Sequence, residues 1–89
     1  MTRDDIQAWT TQARSLTPKH RLRYLLLDLG LMAQDGGVVY LDESVFELWE
    51  GEVGIDADEA QARLNEAREA GWLSVRHSRG LELELQLTA

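Results

Sequence analysis

Leu81, Leu83, Leu85 and Leu87 alternate with Glu82, Glu84 and Gln86 near the end of the chain. A period of two places four leucines on one face of a strand. Trp72 to His77 alternates more loosely, with Leu73 and Val75 expected inward. Ser78-Arg79-Gly80 supplies a turn between the two runs, so they are expected to pair as an antiparallel hairpin. A lone hairpin is unstable in water, so its leucine face must pack on other elements.

The rest of the chain changes period. Ile6, Trp9, Ala13 and Leu16 recur at helical spacing, which predicts a helix over residues 3–15. Thr2 is placed to cap it, and Asp4 and Asp5 suit the positive end of its dipole. Trp9 must dock either on this domain or on a second copy. Thr17-Pro18 predicts the start of a second helix running to about Ala33. Leu22, Leu25, Leu26 and Leu29 form its main stripe, with Tyr24, Leu27 and Leu31 off it. Such a helix is central to a fold or borders an interface.

Gln34 to Gly37 stops that helix, and Val38 to Leu41 reads as a short strand. Asp42 to Glu50 predicts a third helix, capped by Asp42 or by a Ser44/Glu47 box, with Val45, Leu48 and Trp49 inward. Gly51 to Ile55 reads as a turn. Asp56 then caps a helix to about Ala70 that buries Ala60, Leu64 and Ala67, and Gly71 ends it. The pattern is α+β, mainly α with a small antiparallel β-hairpin. Residues 1–17 form an N-terminal amphipathic helix, a candidate dimerisation arm, ahead of a domain over 18–89.

Charge is distributed unevenly along this 89-residue chain of net charge −7. Residues 1–23 set Arg3, Arg14, Lys19, Arg21 and Arg23 against Asp4 and Asp5. Residues 24–70 hold twelve of the sixteen acids against two arginines, so the middle of the chain repels phosphates. There is no cysteine, which removes disulfides and cysteine-based zinc sites. The start lacks an apolar run of the kind a signal peptide needs, and Tyr24 to Met32 is too short to span a bilayer. A cytoplasmic location is therefore expected.

The order helix, strand, helix, turn, helix, hairpin carries particular residues. Gly54-Ile55-Asp56 leads into the last helix, Leu64 sits within it, and Glu69-Ala70-Gly71-Trp72-Leu73 leads out. In these features residues 18–88 resemble a winged helix-turn-helix domain of bacterial or phage regulators and replication initiators. The resemblance implies a DNA-binding or transcription-regulating protein. The last helix would be its recognition helix, and Arg76-His77-Ser78-Arg79-Gly80 the tip of its wing.

On that reading Gln61 and Asn65 suit adenine edges, and Arg63 and Arg68 suit phosphate or guanine. Arg76, His77 and Arg79 suit a narrow minor groove, or else pair with Glu82 or Glu84. Lys19 and Arg21, within the run Arg14, Lys19, His20, Arg21 and Arg23, suit a phosphate backbone or a solvated face. Asp58 and Glu59 stand where phosphates would approach. The other reading is an acidic interaction module that binds a basic protein or mimics DNA charge.

Catalysis is not expected, because the carboxylates show no organised pair and no Gly-rich phosphate loop is present. No cofactor is expected. His20 and His77 lack partners at metal-ligand spacing. Trp49 is expected in the core, and Trp9 and Trp72 at edges that mark a contact surface such as a homodimer.

Overall fold

Local capping chemistry sets most of the element boundaries. In the computed structural model, which describes residues 1–17 and 19–88, the Thr2 hydroxyl accepts from the Asp5 amide. The Asp5 carboxylate accepts from the Thr2 amide, closing a capping box ahead of α1 (Arg3–Ser15). Helix α2 (His20–Met32) starts later than the sequence suggests: Lys19 occupies its N-cap and makes no side-chain cap bond. Thr17 is buried before the helix and does not cap it. Pro18, expected at the first helical position, lies outside the described residues.

Strand β1 (Val38–Leu41) follows the expected turn. For α3 (Glu43–Val53), Asp42 is the cap: its carboxylate accepts from the Ser44 and Val45 amides. The Ser44/Glu47 alternative is therefore not used. Helix α3 runs through Gly51 and ends at Gly54, where φ is +69°, a left-handed conformation that glycine adopts without strain. The expected turn from Gly51 shortens to Gly54-Ile55-Asp56. The Asp56 carboxylate accepts from the Glu59 amide and starts α4 (Ala57–Glu69).

The side chains of α3 that face inward differ from those expected. Phe46 and Trp49 are buried, with rings edge-to-face at 5.5 Å, while Leu48 is 53% exposed. On a helix Leu48 stands about 100° from Trp49, off the stripe of Val45, Phe46, Trp49 and Val53.

Strands β2 (Leu73–Arg79) and β3 (Glu82–Leu87) form the expected hairpin, and β1 joins the other edge of β3. The result is an antiparallel sheet of order β1-β3-β2. Its inner rows are Val39–Leu85–Val75 and Leu41–Leu83–Ser78, and an outer row is Tyr40–Glu84–His77. The loose alternation of β2 has a physical cause. The register shifts between Val75 and His77, so Arg76 is an extra residue that moves His77 and Arg79 to the outer face.

Helices and sheet enclose one core that includes Leu25, Leu26, Leu29, Leu64, Leu85 and Leu87. Ile6, Trp9 and Ala13 of α1 belong to it. Trp9 is 2% exposed, which corrects its expected edge position, and its indole Nε1 donates to the Trp72 carbonyl at 2.8 Å. Among the described residues the architecture is thus α+β, four helices and a three-stranded antiparallel sheet. Among the described residues no helix is long and apolar enough to cross a membrane.

Candidate functional site at helix α4 and the hairpin

Helix α4 sorts its side chains into three rows. Ala60, Leu64 and Ala67 face the core. Glu59, Arg63 and Glu66 form a second row, and Gln61, Asn65 and Arg68 a third. Each row follows the i, i+4, i+7 spacing of one helix face.

The second row faces the start of α2 and is engaged in ion pairs. Lys19 Nζ lies 2.8 Å from Glu66, and Arg63 Nη2 lies 2.9 Å from the same carboxylate. Hydrogen bonding from Lys19, with the Arg63 charge nearby, lowers the Glu66 pKa below the usual carboxylate range. Arg21 Nη1 donates to Glu59 at 2.9 Å and to the Gly54 carbonyl at 3.2 Å, tying α2 to the turn before α4. Exposed pairs of this kind add little to stability because solvent screens them. Their consequence here concerns availability. Lys19, Arg21 and Arg63, expected as phosphate or guanine contacts, already hold carboxylates of their own chain.

The third row faces the hairpin. Gln61, Asn65 and Arg68 line a groove whose far wall is Val75, Ser78 and Gly80, with Leu83 and Leu85 in its floor. Val75 sits on the inner face opposite Leu85 yet is 42% exposed, because it stands at the groove mouth. Arg68 donates to the Asn65 side-chain oxygen, and Asn65 donates to Glu69 at 3.3 Å. Among the described residues that line this groove none carries a carboxylate, although the Glu69 carboxylate lies beside it, bonded to Asn65.

The hairpin's cations separate at the bulge. Arg76 Nε lies 3.2 Å from Glu84, so this arginine takes the cross-strand pairing open to it in the sequence. His77 is exposed opposite Glu84, and Arg79 is exposed on the outer face opposite Glu82, in a hollow it shares with Asp42, Glu43 and Glu82 but with no ion pair among the described residues. Of the nine residues singled out in the sequence, the structure gathers Gln61, Asn65 and Arg68 beside the hairpin. It places Lys19, Arg21 and Arg63 on the other flank of α4.

The alternation of the hairpin predicts Val75 and Leu83 inward, but the gap between α4 and the hairpin leaves both lining the groove, Val75 exposed and Leu83 half-buried. Among the described residues no group of three or more His, Asp or Glu side chains is placed to hold a metal ion. Comparison with protein-family models, curated proteins and solved structures finds no match to this chain.

Proposed function

We propose that the chain is a winged-helix module of the bacterial or phage regulator type. It would contact DNA through the Gln61/Asn65/Arg68 row of α4 and the hairpin tip at Arg79. The order α2-β1-α3-α4-β2-β3, with β1 and β2 flanking β3, supports the winged-helix reading. The observation that carries the DNA reading is the groove between α4 and the hairpin. Gln61, Asn65 and Arg68 line one side of it and the mostly apolar hairpin wall and floor the other, with no lining carboxylate among the described residues.

Gln61 has the donor and acceptor pair that matches adenine, Asn65 has it once its bonds to Glu69 and Arg68 are exchanged for the base, and Arg68 and Arg79 supply charge. Arg76 and His77 flank the tip as the wing. On this reading the protein works in the cytoplasm. Titration of duplex DNA at low and moderate salt tests it. Salt-sensitive binding is expected, and absence of binding at low salt removes the reading, because the phosphate attraction is strongest there.

A second reading rests on different side chains. Asp58 and the exposed glutamates of α3 are in no ion pair among the described residues, which favours an acidic face for a basic protein. Charge reversal at Asp58 tests it without breaking the Arg21–Glu59 pair. Capture of a basic protein that survives this reversal argues against it.

A further inference from the structure

Outside the α4 surface, two faces of the molecule hold charges that the fold does not use. The first lies between α1 and α2. Arg3, Arg14, His20 and Arg23 border a groove floored by Leu27 and Leu31, and Leu31 is 71% exposed. None of its lining residues carries a carboxylate. Arg3, Arg14 and Arg23 are in no ion pair among the described residues, and the buried Nε of Arg14 has no hydrogen-bond partner among them. Gly30 brings the helices together here, since its bare Cα lies against Thr10.

The second face is the outer side of α3. Leu48 is exposed there with Glu52 one turn on and Glu47 beside it, while the exposed Glu43 and Glu50 lie further round the same helix. These glutamates are also in no ion pair among the described residues. Gly51 leaves open space on the same side, so another surface can approach the helix closely.

From this complementarity we infer that the α1/α2 groove takes a second copy of this chain, seating the acidic α3 face with Leu48 over Leu27 and Leu31. A contact between two different patches either runs head-to-tail or closes as a reciprocal two-fold pair, groove of each copy on α3 of the other. A two-fold pairing of groove on groove would instead set Arg3, Arg14 and Arg23 against their own copies. Head-to-tail contacts close into rings or continue as chains according to the rotation between copies.

Sedimentation equilibrium of the full chain tests this. The average mass is expected to rise above the monomer value with concentration at about 0.02 M salt and to fall back at about 0.5 M, as screening removes the charge attraction. Two variants change only exposed residues: Arg3→Glu/Arg23→Glu in the groove, and Glu47→Arg/Leu48→Ala on α3. Each alone is expected to be monomeric with an unchanged far-ultraviolet circular dichroism spectrum.

Mixed in equal amounts, the two variants restore one good contact and no second. They are expected to give a dimer that does not grow further. A wild-type chain that stays monomeric at low salt overturns the inference. So does a dimer indifferent to the α3 variant, or a mixture that remains monomeric.

Discussion

Trp9 Nε1 donates to the Trp72 carbonyl at 2.8 Å, joining the first helix to the start of the hairpin across 63 positions of sequence. The ring is buried, and the same carbonyl also accepts from the Thr88 amide at 3.0 Å. Trp9→Phe keeps most of the ring and removes one of these two bonds, leaving the carbonyl paired with Thr88. A loss of about 0.5–1.5 kcal/mol is expected by denaturant unfolding. Trp9→Ala also opens a cavity and is expected to cost about 3–5 kcal/mol. Equal stability of wild type and Trp9→Ala would mean that α1 is not part of the core.

Gly30 makes the α1–α2 crossing possible. A methyl group at this position meets Thr10 Oγ1, and also Thr10 Cβ at 3.2 Å and Cγ2 at 3.3 Å. Thr10 Oγ1 donates to the Ile6 carbonyl, which limits its freedom to turn away. Gly30→Ala is expected to lower stability by about 1–3 kcal/mol through overpacking. Thr10→Ala in the same chain should recover part of that loss. Thermal unfolding of the single and double variants provides the comparison.

Much of this fold is legible in the sequence wherever a local rule acts alone. The caps at Thr2 and Asp56, the Ala60/Leu64/Ala67 stripe and the leucine alternation of β3 each depend on neighbours within a few positions. The failures share a different cause. Leu48 faces outward because the inward stripe of α3 is set by the packing of Phe46 and Trp49, about 100° round the helix from it. The bulge at Arg76 reverses His77 and Arg79, and only pairing with β3 fixes its place.

The candidate site divides in the same way. Its residues are readable as a set of polar and basic side chains. The sequence contains no local sign that Lys19 and Arg21 reach Glu66 and Glu59, 47 and 38 positions away. Those long-range pairs determine which cations remain open to a partner.

Asp5, Asp42 and Glu66 all hold pKa values below the ordinary carboxylate range. The first two are lowered chiefly by hydrogen bonds at helix starts, and Glu66 chiefly by its bond from Lys19. The folded chain therefore binds fewer protons than the unfolded chain in acid. Their stabilising contribution is full above the ordinary range, near pH 4, and is lost as pH falls through the lowered values. Glu66→Gln is expected to reduce the loss of Tm between about pH 5 and pH 2 relative to wild type. An identical acid limb in both proteins would show that the Lys19–Glu66 pair does not act in this way.

Asp58 stands exposed in the first turn of α4, where a phosphate would approach. Removing one like charge at contact distance in water is worth about 1 kcal/mol, roughly fivefold in affinity. Asp58→Asn is therefore expected to tighten DNA binding severalfold at low salt. Weaker binding by this variant would place the DNA elsewhere.

The central claim is that Arg68 and Arg79 meet DNA while Lys19 and Arg21 serve the fold. Fluorescence anisotropy of a labelled duplex across a salt series, with Arg68→Ala/Arg79→Ala and Lys19→Ala/Arg21→Ala beside wild type, tests it most directly. The first variant is expected to lose affinity and to lower the slope of log K against log salt by about two, with Tm unchanged. The second is expected to keep wild-type affinity and to lose a little Tm. Loss of affinity only in the Lys19/Arg21 variant, or no binding by wild type at the lowest salt, would contradict the account.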